Sequence, residues 1–339
     1  MRAIGYRTPG PISDPASLSD IELPAPRPEG RDLLVAVRAV SVNPVDTKVR
    51  ASAAPEAGQW KVLGWDAAGV VEAVGPDATL FRPGDAVFYA GALGRQGANA
   101  ELHLVDERIV GRKPASLSFA EAAAMPLTSI TAWEALFDRL DVRRAVPGAW
   151  NAILIVGGAG GVGSIATQLA RRLTDLTVVT TASRPETQAW SREFGAHHVI
   201  DHSRPLAAEI AALGLGQPAF VFSTTNTDSH LAEIAELIAP QGRFALIDDP
   251  KALDVAPFKR KSVSTHWELM FTRSMFGTAD IAEQGALLNE TSGLVDAGTL
   301  RTTVSESFGA INAANLKRAH ALLESGRSKG KIVLEGFGT

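Results

Sequence analysis

The chain of 339 residues is 45% hydrophobic and 21% charged, a composition typical of a globular protein with two domains. Its net charge of −4, from 33 basic and 37 acidic residues, gives no polybasic surface for nucleic acid or anionic membranes. The sequence contains no cysteine, which excludes disulfides, thiolate nucleophiles and cysteine-containing zinc sites, and fits a reducing compartment.

The first residues, MRAIGYRTPG, lack the apolar region of a signal peptide and meet Pro9 early. The most apolar stretch, residues 152–156, leads directly into glycines and is far shorter than the roughly 20 residues that a membrane helix needs. We therefore expect a cytoplasmic protein that does not span a membrane.

The predicted elements change in character along the chain. Up to about residue 125, short apolar runs at 33–40, 69–75 and 84–89 are bounded by Gly, Pro and Asp, which predicts a compact β-barrel or sandwich. Ser118 and Glu121 then have the spacing of a capping box. From residue 153 onward, strand-like and helical segments alternate, which predicts an α/β fold with a parallel sheet covered by helices. The segment 264–276 is expected to be a loop.

The strongest motif is the glycine turn, GAGGVG at residues 158–163. It follows an apolar strand and precedes a predicted helix at 164–173, the context in which a G-x-G-x-x-G pattern indicates dinucleotide binding. Glycines allow the backbone to approach a pyrophosphate, whose charge the helix N-terminus then stabilises. The alternative is a plain tight turn. The predicted cofactor-binding residues here are Gly158, Gly160, Gly161, Val162 and Gly163.

The end of the next predicted strand distinguishes the two nicotinamide cofactors. Sites for NAD usually place a carboxylate there, about 20 residues beyond the glycines, to bind the ribose 2′-hydroxyl. Residues 180–185, TTASRP, contain no carboxylate, and Ser183 and Arg184 can donate to a 2′-phosphate. An ordinary surface arginine is the alternative reading of Arg184. The sequence favours NADPH.

With these residues in view, the chain resembles the medium-chain dehydrogenase/reductase superfamily, in its quinone oxidoreductase or zeta-crystallin-like branch. The resemblance implies a GroES-like β-barrel catalytic domain (1–125 and 298–339) with a Rossmann domain, a doubly wound parallel sheet, inserted at 126–297. It also implies a homodimer joined through Rossmann edge strands. The segments that carry it, in order, are SVNPVDTKVR (41–50), GWDAAGVVEAVG (64–75), FRPGDAVF (81–88), AAAMPLTSITAWEAL (122–136), VGGAGGVGSIATQLA (156–170), FGAHHVIDH (194–202) and GKIVLEGF (330–337).

Many members of this superfamily are alcohol dehydrogenases with a catalytic zinc, and proteins like this chain often bear a zinc-type name. The residues here argue against a metal. Asn43 stands where those relatives have a cysteine, Trp65 and Asp66 replace their His-Glu pair, and Leu127 replaces their second cysteine. Since Asn, Trp and Leu supply neither thiolate nor imidazole, no metal site is predicted.

The resemblance assigns candidate catalytic roles to one loop and one aromatic residue. Asn43, Asp46 and Lys48 lie in the loop that faces the substrate in the family. Asn43 is expected to donate to a carbonyl oxygen or to hold the nicotinamide ribose, and Lys48 to stabilise an enolate or relay a proton. Lys48 is otherwise an exposed lysine paired with Asp46. Trp65 is expected to form an apolar wall, or to be an ordinary core aromatic.

Further cofactor contacts are predicted from the resemblance and from strand ends. Thr131 matches a threonine near the nicotinamide, His202 stands where relatives often have a tyrosine near the adenosine ribose, and Lys331 resembles a tail residue that reaches the cofactor. Asn226 and Asp248 follow predicted strands, and the carboxyl ends of such strands line the ligand crevice, although both residue types also favour turns.

The sequence thus predicts an NADPH-dependent oxidoreductase that transfers a hydride, without metal, to a conjugated carbonyl acceptor: an enone, an enal or a quinone. A zinc-dependent alcohol dehydrogenase and a non-catalytic NADPH-binding redox sensor are the alternatives. The expected partners are a small molecule and a second copy of the chain, with neither nucleic acid nor membrane.

Overall fold

A computed structural model of the protein describes residues 1–338 and divides them into two units. The first unit comprises Met1–Ile130 and the described chain from Phe271 onward, and the second comprises Thr131–Met270. The second boundary therefore lies at 270/271, whereas the sequence predicts 297/298. The difference arises because helix Glu283–Asp296 packs on strand Val110–Arg112 of the first unit. Gly285 of this helix lies so close to the backbone there that an added Cβ would be 2.6 Å from the Arg108 carbonyl oxygen.

The elements are numbered in chain order. The strands are β1 (Arg2–Tyr6), β2 (Ser19–Glu22), β3 (Asp32–Ser41), β4 (Lys61–Val62), β5 (Ala67–Val74), β6 (Ala86–Tyr89), β7 (Leu102–Asp106), β8 (Val110–Arg112), β9 (Trp150–Val156), β10 (Thr177–Thr181), β11 (His198–Ile200), β12 (Pro218–Ser223), β13 (Arg243–Leu246), β14 (Ser264–Trp267), β15 (Val304–Ser307) and β16 (Lys331–Glu335). The α-helices are α1 (Pro44–Ser52), α2 (Phe119–Ala123), α3 (Pro126–Trp133), α4 (Gly161–Leu173), α5 (Pro185–Glu193), α6 (Leu206–Ala212), α7 (Thr227–Leu237), α8 (Thr272–Phe276), α9 (Glu283–Asp296) and α10 (Ala313–Glu324). Short 3-10 helices cover Glu107–Ile109 and Ala256–Lys261, and a π-helix covers Glu134–Arg139.

The second unit contains a six-stranded sheet in which every pairing is parallel, in the order β11-β10-β9-β12-β13-β14. This is the doubly wound order 3-2-1-4-5-6, so the predicted Rossmann-type sheet is confirmed. Residues 152–156 of the central strand β9 are all buried, as expected for a strand covered on both faces. The carboxyl ends of β9 and β10 lie side by side and position the glycine turn.

The first unit is largely antiparallel. The long strand β3 pairs with β5 and β7, and its end also pairs with β16, where Val333 lies opposite Ser41. Strand β16 thereby runs alongside the residues that lead into α1. Gly69 in β5 has no room for a side chain, because an added Cβ would lie 2.2 Å from the Ala36 carbonyl oxygen of β3.

Two local predictions had different outcomes. The capping box at the start of α2 is confirmed, since the Ser118 amide donates to the Glu121 carboxylate at 2.9 Å and the Glu121 amide donates to Ser118 Oγ at 3.2 Å. The prediction of a loop at 264–276 was wrong, because β14 and α8 lie within it. Within residues 1–338, no helix has the length and apolarity needed to cross a membrane.

Candidate active site

The glycine turn in the second unit connects β9 to α4. The first helical bond of α4 runs from the Ser164 amide to the Gly160 carbonyl at 2.9 Å, so the amides of Gly161, Val162 and Gly163 precede it and have no acceptor within the helix. The turn is fixed from the neighbouring strand, because the Gly158 amide donates to the Thr181 carbonyl at 3.2 Å. These amides and the positive end of the 13-residue helix form a site suited to an anion.

Two glycines of the turn are required by close packing. A Cβ on Gly163 would lie 2.2 Å from the Gly157 carbonyl oxygen, and one on Gly158 would lie 2.5 Å from Thr180 Cβ. Gly157, just before the turn, has φ +85°, a left-handed conformation that side chains disfavour. The backbone can therefore bend tightly here and leave room for a phosphate group directly against it.

The strand ends beside the turn carry the residues predicted to recognise adenosine. Thr181 Oγ1 accepts from the Gly157 amide at 3.0 Å and lies 3.1 Å from His202 Nδ1, so this threonine links His202 to the turn. Arg184 precedes α5 with its side chain 39% exposed, and its Nε lies 3.2 Å from the Glu186 carboxylate. Burial lowers the pKa of His202 below its usual value, so a neutral imidazole is favoured. Ser183 is half-buried in the same segment.

Three further candidates for cofactor binding lie in the second unit: Asp248, Asn226 and Thr131. Both carboxylate oxygens of Asp248 bind Thr227, one through its amide at 2.8 Å and the other through its hydroxyl. Asp248 thus caps α7 rather than presenting a free carboxylate. Asn226 is exposed and left-handed, with φ +53°, at the start of the same helix. Thr131 is buried in α3.

A buried ion cluster lies in the first unit and consists of Asn43, Asp46, Asp66 and Lys331, each at most 3% exposed. Lys331 Nζ donates to the Val42 carbonyl oxygen at 3.0 Å, to Asp66 Oδ2 at 2.9 Å and to Asn43 Oδ1. Asn43 Nδ2 donates to Asp66 Oδ2 at 2.9 Å. The ammonium, the amide and one carboxylate therefore form a closed network.

Backbone amides hold the carboxylates of the buried ion cluster. Asp66 Oδ1 accepts from the Leu127 amide at 2.7 Å, while Asp46 accepts from the Asn43 amide at 2.7 Å and the Gly64 amide at 2.9 Å. Burial raises the pKa of Asp46 to about 7, although those amides and the Lys331 charge oppose the shift. Burial likewise raises the pKa of Asp66, again against the charge of Lys331.

These contacts differ from three of the roles predicted from the resemblance. The Asn43 amide oxygen accepts from Lys331, and its two N–H groups donate to Asp66 Oδ2 at 2.9 Å and to the Trp65 carbonyl oxygen at 3.3 Å, so it has no donor left for a substrate or a ribose. Asp46 binds backbone amides, and Lys331 binds Asp66 rather than reaching outward. The reason is the pairing of β16 with β3, which places Lys331 beside the residues that begin α1.

Two catalytic candidates remain, and they have opposite environments. Lys48 is exposed in the middle of α1. Trp65 is 1% exposed, its indole N–H donates to the Ala92 carbonyl at 3.3 Å, and it packs edge-to-face against Phe271 with ring centroids 6.4 Å apart. Trp65 therefore supports the core with its polar group already bound, whereas Lys48 is an exposed residue.

The sequence did not reveal that Asp66 and Thr181 organise these two regions. A signal for Asp66 was present, because an aspartate within the largely apolar segment 62–71 needs a buried partner. Nothing local in the sequence identifies that partner as Lys331. For Thr181, the strand TVVTT gives no indication of which hydroxyl binds the turn.

Family models match two segments of the chain, and known relatives match most of its length. The family model described as "Alcohol dehydrogenase GroES-like domain" matches residues 29–132, and "Zinc-binding dehydrogenase" matches residues 194–334. The first match confirms the predicted GroES-like domain. A zinc-type alcohol dehydrogenase-like protein of Staphylococcus aureus is 40% identical over 98% of this chain and 99% of its own length. A quinone oxidoreductase of Pseudomonas aeruginosa is 32% identical over 91% of this chain and 92% of its own.

Solved structures of similar proteins also match nearly the whole chain. A protein of Rhizobium etli described as a zinc-dependent alcohol dehydrogenase is 71% identical, with a TM-score of 0.99 over 100% of this chain and 99% of that one. A mycobacterial protein solved in complex with NADPH is 27% identical, with a TM-score of 0.83 over 99% of both chains.

Proposed function

The chain belongs to the medium-chain dehydrogenase/reductase superfamily, and on this premise we propose that it is an NADPH-dependent oxidoreductase that reduces an enone, an enal or a quinone by hydride transfer without a metal. The observation that carries the proposal is the glycine turn, with three helix-start amides directed away from α4. The quinone oxidoreductase and NADPH-bound relatives support the coarser assignment to NAD(P)-dependent oxidoreductases.

NADPH is preferred in this proposal because of the residues after β10. Ser183 and Arg184 stand where a 2′-phosphate would be recognised, and no carboxylate lies between Thr181 and Pro185 to repel it. Glu186 pairs with Arg184 but is itself 54% exposed, and such a surface pair is weak compared with a charge-assisted bond from an arginine to a phosphate.

Replacing Arg184 by alanine is expected to raise the KM for NADPH about 10- to 100-fold, since a hydrogen bond to a charged group is lost. The KM for NADH should change little. Steady-state kinetics with both cofactors test this, with Arg192→Ala, an exposed arginine in the last turn of α5, as the control. Equal losses with both cofactors would show that Arg184 does not recognise the 2′-phosphate.

The family names imply zinc, but the residues do not fit it. Leu127 and Trp65 are buried, and their side chains have no atom that serves as a zinc ligand. The Asn43 amide is already hydrogen-bonded to neighbouring residues. Among the residues that the structure describes, no three His, Cys, Asp or Glu side chains gather as a metal site. No step of the proposed reaction therefore passes through a metal.

Reduction of a conjugated carbonyl makes modest demands on the protein. When bound, the nicotinamide supplies a hydride to the electron-poor carbon, and negative charge develops on the conjugated oxygen. A cation or hydrogen-bond donor directed at that oxygen stabilises the charge, and a proton completes the reduction. Of the four predicted catalytic residues, Lys48 is the exposed one and carries a cationic side chain, which suits this role.

Replacing Lys48 by alanine should lower kcat/KM for enones about 10- to 100-fold, near the lower end of what an oxyanion donor contributes, because the site is exposed. Lys48→Arg should retain more of the activity than Lys48→Ala, since it keeps the charge. Lys259→Ala, which changes another exposed lysine, is the control. Unchanged kcat/KM in Lys48→Ala across good acceptors would remove this residue from the mechanism.

One assay separates the proposal from its alternatives. Purified protein is mixed with NADPH and a panel of enones, enals and quinones, and loss of the reduced cofactor's absorbance is followed with and without a chelator. We expect turnover that the chelator does not affect. Loss of turnover on chelation would instead indicate a zinc-dependent alcohol dehydrogenase, and NADPH binding without turnover would indicate a redox sensor.

We also propose that the protein forms a homodimer through β14. This strand pairs only with β13 in the described sheet, so its other edge is open, and Trp267 at its end is 54% exposed. Light scattering should give twice the chain mass of 35.7 kDa, and Trp267→Glu should shift the protein toward the monomer. Leu215→Glu, at a similarly exposed apolar residue, is the control. A monomeric wild type would contradict the proposal.

We further propose that the protein acts in the cytoplasm and that its other partner is a small molecule. The absence of cysteine supports action in the cytoplasm, and the net charge of −4 supports a small-molecule substrate over nucleic acid or an anionic membrane surface.

A further inference from the structure

The hydroxyl of Ser164, in the first turn of α4, makes two hydrogen bonds at once. It donates to the Gly160 carbonyl at 2.7 Å, the same carbonyl that accepts from the Ser164 amide at 2.9 Å. It also accepts from the indole N–H of Trp190, in α5, at 2.8 Å. Ser164 is 0% exposed, so its hydroxyl is shielded from water. The two bonds of this hydroxyl form a serine bridge between α5 and the glycine turn.

The indole that begins the serine bridge is itself held in place. Trp190 packs against Phe194, just after α5, with ring centroids 4.6 Å apart and 32° between the ring planes. Phe194 is 5% exposed. Gln188 attaches the same helix to the end of β10, because its Nε2 donates to the Ala182 carbonyl at 3.1 Å. Helix α5 therefore presents the indole N–H to Ser164 from a fixed position.

The peptide group that receives the serine bridge carries one of the amides of the glycine turn. The Gly160 carbonyl and the Gly161 N–H belong to one planar trans peptide, so they point in opposite directions. Two hydrogen bonds to this carbonyl therefore fix the direction of the Gly161 N–H, which has no acceptor within the helix. They also make this N–H a stronger donor, because hydrogen bonds connected in series polarise one another.

A second hydroxyl of α4 makes a similar contact without the same consequence. Thr167 Oγ1 donates to the Gly163 carbonyl at 2.7 Å, again to the residue four positions earlier. The N–H of that peptide belongs to Ser164 and is already bonded to the Gly160 carbonyl. Of these two hydroxyls, that of Ser164 is therefore the one that acts on an amide available to a phosphate.

We propose that Ser164 and Trp190 are positioning residues for the cofactor, because the serine bridge orients the Gly161 amide toward the pyrophosphate and strengthens it as a donor. The inference rests on the NADPH-binding function proposed above and extends it to a residue of α5. NADPH and NADH share the pyrophosphate, so the serine bridge acts on both cofactors alike, whereas Arg184 is expected to distinguish them.

The test compares wild type, Ser164→Ala, Trp190→Phe and the double variant. Titration calorimetry gives the Kd of NADPH and of NADH for each protein. The ¹⁵N chemical shift of the Gly161 amide, recorded without cofactor, reports on hydrogen bonds to the carbonyl of the same peptide. Trp190→Phe removes the indole N–H and keeps a ring against Phe194. Thr167→Val is the matched control, since it removes the comparable hydroxyl of the same helix.

We expect Ser164→Ala to weaken the binding of both cofactors about 3- to 10-fold, the range of one hydrogen bond. Trp190→Phe should weaken both about 2- to 3-fold, since it acts one bond further away. The double variant should bind no more weakly than Ser164→Ala, because the bond that Trp190 supplies is already lost. The Gly161 signal should move in both single variants, and Thr167→Val should match wild type in both measurements.

Two results would overturn the inference: folded Ser164→Ala with wild-type affinity for both cofactors, or a loss in the double variant that equals the product of the two single losses. If Ser164→Ala does not fold, wild-type affinity and an unmoved Gly161 signal in Trp190→Phe would overturn it instead. The outcome is separable from the proposed function. Wild type that binds NADPH but reduces no acceptor would contradict the function and leave the roles of Ser164 and Trp190 intact.

Discussion

Replacing Gly163 by alanine is expected to lower kcat/KM for NADPH about 100-fold, because a displacement of about 1 Å in the turn misplaces the cofactor by a similar distance. The new Cβ would lie 2.2 Å from the Gly157 carbonyl oxygen and 2.8 Å from Gly158 Cα, both backbone atoms that cannot rotate away. Titration calorimetry with NADPH should show the corresponding loss of affinity.

The control for this change is Gly293→Ala. Gly293 lies inside helix α9 with open space around its Cβ position, so alanine there should leave NADPH binding unchanged and stabilise the helix by about 1 kcal/mol. A folded Gly163→Ala protein with wild-type affinity would mean that the pyrophosphate does not bind at the glycine turn.

Acid should destabilise the protein below pH 6.5, and His320 should account for a large part of the loss. Burial lowers the pKa of His320 to about 3, with the neighbouring Arg50 charge adding to the shift. The unfolded chain takes up the proton near pH 6.5 and the folded chain near pH 3. This histidine's contribution is therefore complete above pH 6.5 and is lost, at about 1.4 kcal/mol per pH unit, as the pH falls between those values.

The variant His320→Leu isolates this effect. It removes two ring nitrogens for which the described chain provides no hydrogen-bond partner, so stability at pH 7.5 should not fall greatly. Between pH 6.5 and 4.5 the variant should lose about 3 kcal/mol less than wild type in urea unfolding. His198→Leu, at a partly exposed histidine, is the control. Parallel acid limbs for wild type and His320→Leu would refute the assignment.

The glycine turn could be predicted because its parts are adjacent in the chain. Strand β9, the turn and helix α4 occupy residues 150–173, and each has a local sequence signal. The contacts of Asp248, in contrast, have no local sequence signal. Its place near a strand end was predicted, but helix α7 was not, so the Thr227 amide and hydroxyl that bind its carboxylate could not be anticipated.

The buried ion cluster could not be derived from local patterns, because Asp66 and Lys331 are 265 residues apart. That Asn43, Trp65 and Leu127 leave no zinc site stays a prediction, made from the resemblance to zinc-dependent relatives. Which side chain contacts Asn43 and Asp66 depends on which strand pairs with the end of β3. The period-two pattern of a strand does not specify its neighbour. For the same reason Asn43 and Lys331 were predicted to face ligands, whereas the structure binds them to each other.

The position of β16 has a consequence for folding during synthesis. The second unit is one continuous segment, Thr131–Met270, and can fold as soon as it has left the ribosome. The first unit cannot, since β3 lacks its neighbour β16, and the carboxylates at 46 and 66 lack their counter-charge, until residue 331 has been made. The first unit, whose synthesis begins first, is thus expected to complete its folding last. In the interval the open edge of its sheet at β3 is exposed to aggregation and to chaperones.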